Sequence, residues 1–190
     1  MANGEYYINP GQFRDYRGEL ERSNLFVFVN HELDNGSEFF AEIGSYNSDY
    51  MRHKEPAGDF STALLQLGPD YYWMNQIGMT ADNSSSNKAV RIDNWRPDIG
   101  PRVINVEKET YRYLFGLRGT TDSGWDWETA VLHSKATSAD LTENRLSNSL
   151  LQAGLNDSTS NAINIFDANV ATALAPAIVD VSRNDTSELS

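Results

Sequence analysis

The chain contains no cysteine, so a disulfide framework, a thiolate metal site and a cysteine nucleophile are all excluded. It also lacks any run near the ~20 apolar residues that a membrane helix needs. That excludes a helical span within it but leaves a membrane barrel open, because barrel strands alternate and average to a polar composition. The mean hydropathy of −0.53 fits such averaging. Positive charge is scarce: 15 basic residues stand against 27 acidic ones, for a net charge of −12. No Lys/Arg cluster offsets this, so nucleic-acid binding through phosphate neutralisation is excluded. The first ten residues, Met1 to Pro10, have neither a basic nor an apolar region of the kind that opens a signal peptide.

Catalytic and metal patterns are missing as well. The three histidines, His31, His53 and His133, have no metal-ligand spacing, and His31-Glu32 does not begin an HExxH motif. No Gly-x-Ser-x-Gly elbow or phosphate-binding loop occurs. Carboxylates are abundant, but no pair is distinguished by spacing. A hydrolase is therefore disfavoured, and neither catalytic residues, metal ligands nor a cofactor are expected.

Aromatic residues are plentiful, at 11% of the chain, and they fall in segments that alternate with period two. Strands are predicted near 20–33, 37–50, 104–119 and 125–138. Asp34-Asn35-Gly36 between the first two is a strong hairpin signal. A three-residue loop with Gly36 in the left-handed region sets Leu33 opposite Ser37. Leu25, Val27, Val29 and His31 then face Ser45, Ile43, Ala41 and Phe39. Any even loop would mix apolar and charged faces. In the second hairpin Tyr111, Tyr113, Phe115 and Leu117 share a face, as do Trp125, Trp127, Thr129 and Val131. Reading the turn as Thr120 to Gly124 and pairing Leu117 with Trp125 aligns these faces. It also makes Arg118 a diagonal neighbour of Asp126, and Arg112 of Glu128.

Between the hairpins, and after them, come long polar stretches near 51–102 and 139–177. They are predicted to carry short helices, one between Asp140 and Leu155 ended by Gly154, and a helical turn near Ala168 to Ala175. Ile178 to Ser190 reads as a further strand. The expected fold class is all-β: an antiparallel meander of four to five strands with long loops. Short turns alternating with connections of roughly fifty residues are the rhythm of outer-membrane barrels, with short periplasmic and long extracellular loops. Trp125 and Trp127 beside a turn suit an inner aromatic girdle. Tyr111 and Tyr113, ~20 Å along the barrel wall, suit an outer one. The same alternation suits a soluble core of aromatics, so period two alone leaves both readings open.

The order of motifs carries a more specific signal. Gly100-Pro101-Arg102 leads into Tyr111-Arg112-Tyr113-Leu114-Phe115-Gly116-Leu117-Arg118-Gly119, then Gly124-Trp125-Asp126-Trp127. Tyr72-Trp73-Met74-Asn75, Asn144-Arg145-Leu146-Ser147-Asn148 with Leu150-Leu151-Gln152, and Asn164-Ile165-Phe166 complete the set. The last has Ile165 where an "NPF" loop carries proline. Together these resemble the barrel of TonB-dependent outer-membrane receptors, over nearly the whole chain. The resemblance implies a partial transmembrane β-barrel domain across 1–190, located in the bacterial cell outer membrane. The family's signal peptide, plug and closing aromatic strand have no counterpart here, which makes an internal fragment the expectation.

By that resemblance the intact protein imports a scarce bulky solute (siderophore-bound iron, cobalamin or an oligosaccharide) and is not an enzyme. Its partners would be the solute, outer-membrane lipid, and the TonB complex acting through the plug. Tyr71, Tyr72, Trp73 and Trp95 are candidate ligand contacts as loop aromatics; the competing role is packing the loops together, which is what aromatics more often do. The alternative function is a soluble all-β carbohydrate-binding module. A passive porin shares the same wall physics.

Overall fold

The structure, a computed structural model of the chain, describes residues 9–56, 65–78, 90–92 and 97–190. It is mostly β. Five long strands form one antiparallel sheet: β1 (Glu19–Glu32), β2 (Glu38–Lys54), β5 (Arg102–Thr120), β6 (Asp126–Leu146) and β7 (Ile178–Leu189). Their order, β1-β2-β5-β6-β7, follows the chain, so the sheet is a meander. Two short strands, β3 (Gln66–Leu67) and β4 (Val90–Arg91), pair separately. Among the described residues the connections form three short helices: α1 (Tyr72–Gln76), α2 (Asn148–Leu155) and α3 (Val170–Leu174).

The first hairpin has the expected register. Leu25 lies opposite Ser45, Val27 opposite Ile43, Val29 opposite Ala41 and His31 opposite Phe39. The turn explains why. The Leu33 N–H donates to the Ser37 carbonyl at 2.7 Å, and the Gly36 N–H donates to the Leu33 carbonyl at 2.9 Å. Gly36 has φ of 77°, a conformation that costs glycine little.

The second hairpin corrects the sequence reading. Its turn is not Thr120 to Gly124 but the same three-residue loop, Asp122-Ser123-Gly124. The Thr121 N–H donates to the Trp125 carbonyl at 2.8 Å, the Gly124 N–H donates to the Thr121 carbonyl at 2.8 Å, and Gly124 has φ of 84°. Trp125 is therefore the partner of Thr121, and the pairing of Leu117 with Trp125 is wrong by four residues. Gly119 against the Trp127 ring and the Tyr113–His133 stack at 6.4 Å follow the corrected offset. The shift is even, so the two faces keep their members.

The charge pairing changes with it. Arg118 forms a two-point bond with Glu38 of β2, at 2.8 and 3.1 Å, and Arg112 bonds Glu42 of β2. Strand β5 lies between β2 and β6. Glu128 of β6 also lies near Arg118 and acts on its charge, but the bonds of both arginines are made to β2.

The chain divides into two units. The sheet unit comprises residues 17–52, 104–141 and 182–190. One of its faces carries Leu25, Val27 and Val29 of β1, Tyr111, Tyr113, Phe115 and Leu117 of β5, and Trp127 and Val131 of β6. All nine are exposed, from 37% for Tyr111 to 72% for Val131. The other face carries the two Arg–Glu pairs together with Phe26, Phe28 and Phe40. Gly116 makes room for Phe40, whose ring would overlap any Cβ there, and the Arg118 guanidinium lies 5.4 Å from the centre of that ring.

The loop unit comprises residues 1–16, 53–103 and 142–181, of which 1–8 and parts of 57–96 fall outside the description. It has its own hydrophobic core: Leu65, Leu67, Tyr71, Met74, Ile99, Leu146, Leu151, Leu155, Ile163 and Leu174, with Ala162 and Ala177. Leu151 and Leu155 share one face of α2 at helical spacing. Such short helices are not stable alone, so packing holds them, with help from the caps Ser147 and Asn169. Burying each leucine contributes roughly 1.5–3 kcal/mol.

Two expectations about this region are corrected. Residues 140–146 belong to β6, not to a helix, and α2 begins only at Asn148. Nor does Gly154 end the helix: it lies inside α2, against Ile163, which a Cβ would approach to 2.5 Å. The glycine is there for close approach. The helical turn predicted near Ala168–Ala175 corresponds to α3, and the strand predicted from Ile178 is β7.

Candidate functional site

The loop unit holds the described candidate contacts, Tyr71, Tyr72 and Trp73, at the start of α1. Trp95 lies outside the described residues. Tyr71 is fully buried, and its hydroxyl donates to the Ile163 carbonyl at 2.5 Å while accepting from the Ile165 N–H at 3.4 Å. Its ring centre is 6.4 Å from that of Phe166. Tyr71 thus clasps the Asn164-Ile165-Phe166 turn, in which the Asn164 side chain accepts from the Phe166 N–H at 3.0 Å. Burial pushes the Tyr71 phenol above its ordinary value of 10.0, against the opposing bond to the Ile165 backbone. The group therefore stays a donor across the working pH range.

Trp73 and Tyr72 are half-buried and meet edge to face at 5.0 Å. The Trp73 Nε1–H donates to the Ala162 carbonyl at 2.7 Å. All three aromatics therefore pack the loops. Tyr71 has no surface left for a ligand, whereas Tyr72 and Trp73 keep an exposed part. Phe166 on the neighbouring turn is 46% exposed.

Two polar side chains organise the rest, and sequence reasoning assigned neither a role. The Gln152 amide pairs with both backbone groups of Gln66: its oxygen accepts from the Gln66 N–H at 2.9 Å, and its nitrogen donates to the Gln66 carbonyl at 2.7 Å. A side chain here acts as a strand partner for β3. Asn144 has φ of 58°, unusual for a residue with a side chain. Its amide nitrogen donates to the Ile99 and Pro101 carbonyls at 2.8 and 2.9 Å, on either side of Gly100. Two motifs far apart in the chain, Gly100-Pro101-Arg102 and Asn144-Arg145-Leu146, thus meet at one side chain.

Asn144→Ala is expected to cost roughly 2–3 kcal/mol, from a left-handed alanine and two carbonyls left without a donor. Asn144→Gly keeps the backbone conformation and loses only the bonds, so it costs less. Urea unfolding of the three proteins checks the ranking; equal stability of all three would show that the amide bonds hold nothing.

An ion-pair cluster fixes the residues beside the end of β2. Glu55 bonds Arg14 at two points, both 3.0 Å, and lies 3.8 Å from Arg102. The bond from Arg14, aided by a bond to the Glu55 backbone, holds this carboxyl below its ordinary value of 4.5. Its stabilisation is present in full above 4.5 and is lost as pH falls through the lower folded value. The stability difference between the native chain and Glu55→Gln is therefore expected to hold constant at neutral pH and to shrink progressively as pH falls below 4.5. Thermal melts of both proteins across that range read it directly. Beside this cluster, Asp15 accepts from the His53 N–H at 2.8 Å and contacts its ring nitrogen at 2.9 Å.

Among the described residues no three His, Asp or Glu side chains converge as metal ligands. What the loop unit leaves accessible is the exposed part of Tyr72, Trp73 and Phe166. Comparison of the chain with protein-family models, curated proteins and solved structures gives no match.

Proposed function

We propose that this chain supplies wall strands and two outer loops of a TonB-dependent outer-membrane receptor, which imports a scarce bulky solute (iron chelate, cobalamin or oligosaccharide) into the periplasm. The observation that carries this reading is the uncovered face of the sheet unit. Nine large apolar side chains on three strands stand exposed there, while the opposite face carries paired charges. A soluble sheet buries its apolar face, whereas a membrane barrel turns it to lipid and its charged face to the lumen. The girdle geometry agrees: Trp127 near the short turn and Tyr111, eight residues further along β5 from Trp127's neighbour Gly119, are ~20 Å apart along the membrane normal for a ~40° tilt. The packed loop unit would then form part of the solute-facing exterior. TonB would act through a plug enclosed by the completed barrel.

The absence of cysteine allows a direct test. Single cysteines at Tyr113, Leu114 and Phe115 are spin-labelled after refolding into outer-membrane lipid vesicles. Labels at 113 and 115 are expected to be reached by oxygen from the bilayer, and the label at 114 by a water-soluble relaxer. If the chain instead folds as a monodisperse protein in buffer, with no oxygen preference at any site, the receptor reading fails. The soluble carbohydrate-binding module would then take its place.

A further inference from the structure

Charge is sorted between the two faces of the sheet unit, toward the strand ends remote from the hairpin turns. Arg22 of β1 lies opposite Ser48 of β2. The antiparallel offset set by Phe40 against Gly116, and by Glu38 with Arg118, places Lys108 of β5 on the other side of Ser48. Arg52 follows on β2, four residues on and on the same face. Ser48 itself is buried, at 6% exposure. Tyr46 and Tyr50 share that face, and Tyr50 packs over Gly18, where a Cβ would approach its ring to 2.6 Å.

The acidic residues of the same stretch, Glu19, Glu21, Asp49, Glu107 and Glu109, have odd numbers on the same strands and point to the opposite face. Asp140 of β6 shares the basic face, and its carboxylate accepts from the Ser138 hydroxyl at 3.5 Å.

Nearer the turns, on the same face, the cations are already neutralised: Arg112 by Glu42 and Arg118 by Glu38. Arg22, Arg52 and Lys108 make no ion pair with any described residue, and the Arg52 Nε is buried without a hydrogen-bond partner. The terminal Nη1–Nη2 edge of an unpaired guanidinium suits a planar, two-oxygen anion. Three unpaired cations beside two tyrosines, in a chain of net charge −12, form a local site of opposite sign to the rest of the protein.

We infer that this face binds an anionic solute, a carboxylate-bearing oligosaccharide, with Arg22, Arg52 and Lys108 meeting its carboxylates and Tyr46 and Tyr50 its sugar rings. The inference rests on the transport reading and deepens it by giving the solute a charge. Carboxylates would bond the Nη1–Nη2 edge of Arg52, the edge away from its buried Nε, the sugar faces would stack on the tyrosines, and the paired arginines nearer the turns would add little.

The test uses the whole chain refolded in detergent and titrated calorimetrically with trigalacturonate, maltotriose as its neutral match in size, and inorganic pyrophosphate. Trigalacturonate is expected to bind and to weaken as salt is raised. Arg52→Gln and Lys108→Gln are each expected to weaken it roughly tenfold. Arg52→Lys should recover part of the loss, and Glu107→Gln on the opposite face should leave binding unchanged. Circular dichroism and gel mobility confirm that each variant folds. Equal binding of maltotriose, pyrophosphate binding in place of trigalacturonate, or no binding by the folded chain would each overturn the inference. A chain that enters vesicles as expected but ignores the trianion sinks this inference alone. One that binds the trianion yet stays out of lipid sinks the receptor reading alone.

Discussion

Phe115→Arg is expected to destabilise the folded chain in lipid vesicles by about 2–4 kcal/mol, the cost of a lipid-facing cation near the bilayer middle. Phe115 sits at the centre of the exposed apolar face and is 44% exposed. Its neighbour Leu114 points to the other face, so Leu114→Arg should cost far less, because a long cation there can reach water in the lumen. If this face stays in water instead, an arginine at such an exposed site changes stability within about 0.5 kcal/mol, and the gap between the two variants disappears. Urea titration of both variants in vesicles, followed by gel mobility of the folded form, separates the cases. A cost for Phe115→Arg no greater than for Leu114→Arg would remove the main support for a membrane wall.

Tyr71→Ala is expected to cost the loop unit about 3–5 kcal/mol, since it empties the middle of that core. Tyr71→Phe keeps the ring and removes the hydroxyl. It leaves the Ile163 carbonyl without its donor and the Ile165 N–H without its acceptor, for about 1–3 kcal/mol. Hydrogen exchange at α2 and α3 amides measures both, because these short helices depend on the core for their protection. Exchange in β1 and β2 serves as the internal reference, since neither strand contributes to that core. Unchanged protection in both variants would mean that Tyr71 does not anchor the loops.

The alternation of apolar and polar residues in β1, β2, β5 and β6 was enough to place the sheet, its faces and its strand order. The first hairpin was legible down to register, because Asp34-Asn35-Gly36 admits one short loop that keeps the faces together. The second was displaced: Thr120 to Gly124 holds five turn-forming residues, and only the hydrogen bond from Thr121 to Trp125 shows that three of them make the loop. The remote end of β6 was missed because Asp140, Thr142, Glu143 and Asn144 carry no apolar alternation; bonds to other segments, such as that from the Asn144 N–H to Asp180, hold it instead.

In the candidate site, local pattern pointed to Tyr71, Tyr72 and Trp73 but could not say what they touch. The partner of Tyr71 is 92 residues away, and those of Gln152 and Asn144 lie 86 and about 45 residues away. The sequence by itself determined an all-β meander with one apolar and one charged face, because side chains alternate strictly along a strand and a short turn restricts register. Only the tertiary structure decided that the long connections build a core of their own, that Arg112 and Arg118 take their glutamates from β2, and that Asn144 joins two remote motifs. Those outcomes depend on which distant segments meet, and no periodicity within a segment encodes that.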